Sequence, residues 1–388
     1  MAKKFQLAER ASVHLDLIRG VSALAVMLGH VRGLFFIDFP LLTNKSLASL
    51  VIYAATGFGH QSVMIFFVLS GYFIGTSVID SIGAQRWSWG VYLVNRLTRL
   101  QLVLFPALIL GAVWDHIGMR IPQAAPFYFG SLYKYYVPSV ALRSTVPVFF
   151  GNLFFLQSVV SPVFGSNGPL WSLSYEFWYY LLFPALILAA ASWTRVRNRF
   201  LYAGLSALLL WFIGPQIGLY FVIWLAGALV GRLHRTAQFG PPRMQAIVTM
   251  AAGLIFFGAL AWSRTQKLSS DILPDFMIGL SFALWLYMLI HGTREDVSPA
   301  LTNAAKTLSG FSYTLYLTHF PVLLLLRGLL DPQGNWQPDL LHLLLALGIA
   351  LLMLTYAYFV AQFTEARTAS VRRRLLQPWL SRAKEVAR

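Results

Sequence analysis

An all-α fold, a polytopic bundle of about ten transmembrane helices, is what this sequence predicts, and three observations predict it. Of 388 residues, 57% are hydrophobic and only 11% charged, where soluble domains carry roughly a quarter. Apolar windows of about twenty residues recur along the chain with short polar breaks between them. The basic residues divide unevenly between alternate breaks, as they do in helical membrane proteins.

Ten windows qualify, at 17–38, 58–79, 97–117, 172–192, 199–214, 216–232, 244–262, 273–291, 309–329 and 339–363. Little more than Pro215 stands between the fifth and the sixth. With the amino terminus cytoplasmic, an even number puts both termini on that side. Twenty of the 30 Lys and Arg then fall in cytoplasmic segments and six in outer loops, with Arg19, Arg32, Arg99 and Arg327 inside helices or at their ends. That bias sets the expected orientation. The expected organisation is one transmembrane domain, 1–366, followed by a basic cytoplasmic tail, 367–388, suited to anionic lipid. A formal charge of +16 dispersed over membrane loops argues against nucleic acid as a partner, and the absence of cysteine excludes disulfides, thiolate metal sites and a cysteine nucleophile.

The first window carries Arg19 and His30 within its apolar run and reads as a retained helix, not a removable signal. Eleven residues of helix separate them by about 16 Å along the axis and only about 20° around it. One reading is a lined slot with a fixed charge at its mouth and an imidazole at its floor. The other is an arginine that snorkels to headgroups and a histidine that bonds a neighbouring helix.

In the second window, FFVLSGYFIG places Ser70 mid-membrane and Gly71 and Gly75 at close-packing spacing, which reads as a helix contact. At the start of the third, Arg96 and Arg99 share a face one turn apart. They suit a polyanionic ligand, although juxtamembrane arginines also grip headgroups. The long loop after it, 118–171, contains PFYFGSLYKYYVP. Its rings suit either a sugar face or, more commonly, the interfacial belt.

The fourth window opens with GSNGPLWSLSYEFWYYLLFP, where Glu176 sits near the positive end of the helix dipole and is placed to orient a histidine or a hydroxyl. In the ninth, Ser312, Tyr316 and His319 line one face, and Pro321 frees the Leu317 carbonyl beside the histidine. Two histidines at matching depth suit acid or base work, and no metal is expected because further ligands are lacking at that depth.

Taken together, the R-x10-H spacing of Arg19 and His30, FFVLSGYFIG, RLTR at 96–99, WSLSYEFWYYLLFP and YTLYLTHFP resemble, in this order, the integral-membrane acyltransferase family 3. That family includes O-antigen and exopolysaccharide O-acetylases. The resemblance covers Leu15 to Glu365, with Leu102 and Arg367 standing where the family commonly has proline.

It implies an O-acyltransferase of the cell membrane, moving an acyl group, commonly acetyl, from cytoplasmic acyl-CoA to a hydroxyl of a glycan or lipid-linked saccharide. Acyl-CoA is the donor substrate, and no permanently bound cofactor is expected. On this reading Arg19, Arg96 and Arg99 hold the donor phosphates, His30 is general base or transient acyl carrier, His319 stabilises the developing oxyanion or tunes His30, and Glu176 positions the acceptor. A transporter of an anionic or glycan substrate is the alternative from another class, but the two symmetric halves it commonly has are not evident.

Overall fold

The computed structural model describes residues 9–130, 139–191, 193–233, 241–265, 272–292, 298–331 and 336–386. Among these there is no strand, and fifteen α-helices follow in order. They are α1 (Glu9–Phe35), α2 (Leu47–Ala55), α3 (Gly59–Gly83), α4 (Trp89–Arg120), α5 (Ala125–Tyr128), α6 (Val140–Arg143), α7 (Val146–Leu153) and α8 (Trp171–Ala190), then α9 (Val196–Leu233), α10 (Pro242–Ser263), α11 (Leu273–Gly292), α12 (Pro299–Gly310), α13 (Ser312–Leu330), α14 (Leu340–Phe363) and α15 (Thr368–Val386). Nine helices among the described residues are long and apolar enough to cross a membrane.

The expected fifth and sixth spans share α9, which is broken at Gly214, where φ is 76° and ψ 172°. Glycine tolerates that positive φ, and Pro215 then restarts a helix as a natural first-turn residue. The two halves, 196–213 and 215–233, are each about 27 Å long, close to one hydrocarbon thickness. Two rings of the aromatic loop also depart from the expected belt. Phe127 and Tyr128 are buried, with Tyr128 packed so closely on α4 that a Cβ at Gly118 would stand 2.2 Å from its ring. Burial, helped by the Asp115 carboxylate, pushes the Tyr128 phenol above its ordinary value. Phe129 is exposed, and Tyr133, Tyr135 and Tyr136 lie outside the described residues.

The chain forms two compact units. The first comprises Met1–Ser22, Gly57–Arg86 and Tyr175–Ser309. Its seam is α3 against α9, and the spacing of Gly71 and Gly75 is used there for backbone approach. A Cβ at Gly71 would stand 1.9 Å from the Trp224 carbonyl oxygen, and one at Gly227 would stand 1.9 Å from that of Val68. Small residues four apart on both helices let the two backbones touch, which in lipid is the main source of helix association. At another point of the same unit the Asp275 carboxylate receives His60 Nε2 at 2.9 Å and the Tyr220 hydroxyl at 2.5 Å, tying α3, α9 and α11 together.

The second unit comprises Ala23–Thr56, Trp87–Ser174 and Gly310–Arg388. Its centre is α13, buried along most of its length and packed against α4 and α14. Trp114 on α4 donates to the Tyr356 hydroxyl on α14 at 3.1 Å. Most of the expected basic tail, 367–388, is helical as α15 and lies along α4.

Candidate active site

His30 sits five residues before the end of α1, and His319 sits two residues before Pro321 on α13, both in the second unit. His30 Nδ1 lies 2.8 Å from His319 Nε2, the rings stack at 22° with centroids 5.1 Å apart, and Phe320 meets His30 edge-on at 5.0 Å. His319 is 1% exposed, whereas His30 is only half-buried. One imidazole is therefore enclosed by protein and the other is partly open.

The second hydrogen bond of His319 fixes the chemistry. Its Nδ1 lies 2.8 Å from the Leu315 carbonyl, and a carbonyl can only accept, so this nitrogen carries a proton. In a neutral pair, His319 Nε2 must then be the acceptor and His30 Nδ1 the donor, leaving His30 Nε2 as the lone-pair nitrogen. A proton gained at Nε2 is relayed to His319 by a shift along the 2.8 Å bond. The arrangement is that of a base backed by a second, buried group that orients it and shares its charge.

Tyr316, on the same face of α13, donates to the Pro169 carbonyl at 3.1 Å and lies 2.7 Å from Ser172 Oγ. Tyr316, at the middle of the face read from the sequence, is thus held by Pro169 and by Ser172 in the first turn of α8.

Arg19 belongs to the first unit, where Asp16 pairs with its guanidinium at 3.3 Å and the Ser309 carbonyl accepts from it at 3.2 Å. Arg96 and Arg99 are in the second unit: Arg96 lies over the Tyr92 ring at 5.9 Å, and Arg99 is exposed. Glu176 is half-buried in the first unit, and its Oε1 receives both Ser70 Oγ at 2.7 Å and the Tyr180 hydroxyl. Trp224 Nε1 donates to Ser70 Oγ at 3.1 Å, completing a chain that ends on the carboxylate. More than a dipole partner, Glu176 is the acceptor of a hydroxyl network.

Sequence reasoning read Ser70 only as part of a helix contact and missed Tyr180 and Trp224 as its companions. Tyr180 was accessible, because a residue four positions after Glu176 shares its helix face. Trp224, 154 residues from Ser70, left no such local signal. Among the described residues no group of three His, Asp or Glu is placed to hold a metal ion.

Comparison with protein families matches the acyltransferase domain of family 3 to residues 13–360. Comparisons with curated proteins and with solved structures return no match. The match spans nearly the whole chain and includes both histidines and all the motifs above, and the chain therefore belongs to acyltransferase family 3 and is an acyltransferase.

Proposed function

We propose that the protein transfers an acyl group, acetyl first among the candidates, from cytoplasmic acyl-CoA to a hydroxyl of a glycan or lipid-linked saccharide at the outer side of the cell membrane. The observation that carries this reading is the His30–His319 hydrogen bond. It supplies what acyl transfer to a hydroxyl needs, a base nitrogen with a buried partner to accommodate its proton.

Two routes use the same nitrogen. In direct transfer the acceptor oxygen attacks the thioester carbonyl while its proton passes to His30 Nε2. The carbon–sulfur bond breaks, and coenzyme A leaves as a thiolate that recovers the proton. In the relay, Nε2 itself attacks the thioester carbonyl, the carbon–sulfur bond breaks and coenzyme A leaves as a thiolate. The acceptor hydroxyl then attacks the acyl-imidazole, the carbon–nitrogen bond breaks, and the hydroxyl proton passes to the histidine pair and from it to water, from which the thiolate takes its proton. The relay lets donor and acceptor arrive in turn, which suits a donor and an acceptor on opposite sides of a membrane.

Arg96 and Arg99 are assigned to the donor phosphates, supported by the twenty-to-six distribution of basic residues, which favours a cytoplasmic place for this end of α4. The same distribution supports cytoplasmic termini. Glu176 is assigned to the acceptor, because a carboxylate already receiving hydroxyls is suited to a further one.

The test is the fate of the label. Inverted membrane vesicles containing the full chain and the host's own surface saccharides are supplied with acetyl-CoA labelled in the acetyl group, and glycans are analysed by mass spectrometry. The expected outcome is covalent label on glycan hydroxyls, lost in the His30→Ala variant. Label that never leaves coenzyme A in vesicles holding folded wild-type protein, or full transfer by His30→Ala, refutes the assignment.

A further inference from the structure

We propose that Asn167 is a positioning residue for His319, acting through the carbonyl of Leu317; this rests on the catalytic reading of the His30–His319 pair. The starting point is a missing donor. Pro321 has no amide hydrogen, so the Leu317 carbonyl, its partner one turn earlier, has no intrahelical bond to accept. Leu317 is fully buried. An uncompensated carbonyl there would be expensive, and it would leave the turn that carries His319 without its own restraint.

The compensation comes from outside the helix. Asn167 Nδ2 donates to the Leu317 carbonyl at 2.8 Å across 150 residues of sequence. The carbonyl can only accept, so the amide nitrogen must face it, which fixes the side-chain orientation. Asn167 is 2% exposed, and its Oδ1 is buried with no hydrogen-bond partner among the described residues. A buried asparagine that satisfies one end and leaves the other unmet is placed there for the single contact it makes.

That contact is rigidly mounted. The Asp115 carboxylate takes both the Ser166 amide at 2.8 Å and the Ser166 hydroxyl at 2.5 Å. Gly165, at φ +57°, lets the backbone come so near that a Cβ would stand 2.2 Å from Asp115 Oδ2. On the far side of Asn167, Pro169 and Ser172 hold the Tyr316 hydroxyl. Residues 165–172 therefore grip α13 at two successive positions, Tyr316 and Leu317. His319 Nδ1 is in turn bonded to the Leu315 carbonyl. The depth and direction of the imidazole are set by the backbone from 315 to 321, and Asn167 braces the one turn of it that cannot brace itself. Among the described residues Asn167 makes no hydrogen bond to either histidine.

The experiment is a double-mutant cycle with Pro321→Ala, because an alanine at that position restores the amide that can bond Leu317. Initial rates of labelled acetyl transfer are measured on the full chain in membranes, normalised to folded protein. Asn167→Ala should lower kcat by about tenfold or more in the native background and by less than about twofold beside Pro321→Ala. The KM for acetyl-CoA should be unchanged, and the pH profile of kcat should move only where Leu317 has lost both donors. Equal losses in the two backgrounds, or a loss of folded protein with kcat and pH profile unaltered, overturns the proposal. Should Asn167→Ala fail to accumulate, accumulation of the double variant with the kcat of Pro321→Ala supports the link, and its failure to accumulate when Pro321→Ala does so overturns it. His30→Ala run in parallel separates the two layers: transfer retained there refutes the catalytic reading, whereas transfer abolished there beside a negative cycle refutes only the role of Asn167.

Discussion

His30 and His319, 289 residues apart in sequence, share a 2.8 Å nitrogen–nitrogen hydrogen bond. Groups so joined act as a unit, and the losses on removing them do not multiply. His30→Ala is expected to lower acetyl transfer by about 10³-fold and His319→Ala by about 10²-fold, within the range of general-base contributions. The double variant should be no slower than His30→Ala alone, as read from initial rates on labelled acetyl-CoA. Losses that multiply would mean two independent sites of action.

How much of this was legible in the sequence depends on how local each signal is. Apolar windows foretold the spanning helices to within a few residues, apart from longer ends on α1 and α4, because hydropathy is set residue by residue. Both histidines stood out as ionisable groups at matching depth in apolar runs, but the hydrogen bond between them did not, since nothing in either helix encodes its partner. Pro321 announced a carbonyl in need of a donor, and Asn167 could be matched to it only in three dimensions. The spacing of Gly71 and Gly75 foretold a close contact without naming α9. Phe127 and Tyr128 misled because a buried aromatic ring and an interfacial one look alike in composition.

The seam between α3 and α9 makes a steric prediction. A Cβ at Gly71 would meet the Trp224 carbonyl oxygen at 1.9 Å, and backbone cannot turn aside as a flexible side chain can. Gly71→Ala should therefore destabilise the protein by about 1–3 kcal/mol or more, the usual cost of overpacking. Gly258 in α10 has open space around its Cβ position. Gly258→Ala should be neutral or stabilising by up to about 1 kcal/mol. Thermal unfolding of the two variants in detergent checks the contrast, and equal midpoints would contradict the close approach.

Glu176 offers a way to separate charge from shape. Its Oε1 accepts from Ser70 and Tyr180, and a glutamine can present an oxygen to both. Glu176→Gln is thus expected to fold with near-native thermal stability while acetyl transfer falls about 10²-fold, if the carboxylate handles the acceptor hydroxyl. Ser70→Ala removes one donor from Oε1 and leaves the charge, so its loss should be smaller, about tenfold or less. Rates compared with unfolding midpoints distinguish this from a folding defect. A Glu176→Gln protein with full activity would confine the carboxylate to holding α3 and α8 together.

Glu365 makes the last test, of how α13 is held at its other end. The Thr314 amide is among the first N–H groups of that helix, which have no intrahelical acceptor, and Thr314 is fully buried. Glu365 Oε2 takes this amide and the Thr314 hydroxyl, each at 3.0 Å, so the cap reaches α13 from the end of another helix. A carboxylate there also meets the positive end of the helix dipole. Glu365→Ala should cost about 1–3 kcal/mol by leaving a buried donor unmet. Glu365→Gln keeps an accepting oxygen and loses only the charge, so its cost should fall below about 1 kcal/mol. The same order should appear in acetyl transfer, because a loosened start to α13 moves His319 five residues further along. Unfolding midpoints and rates measured on both variants decide it: equal effects of Ala and Gln would assign the whole contribution to charge, and no effect of either would remove Glu365 as the cap.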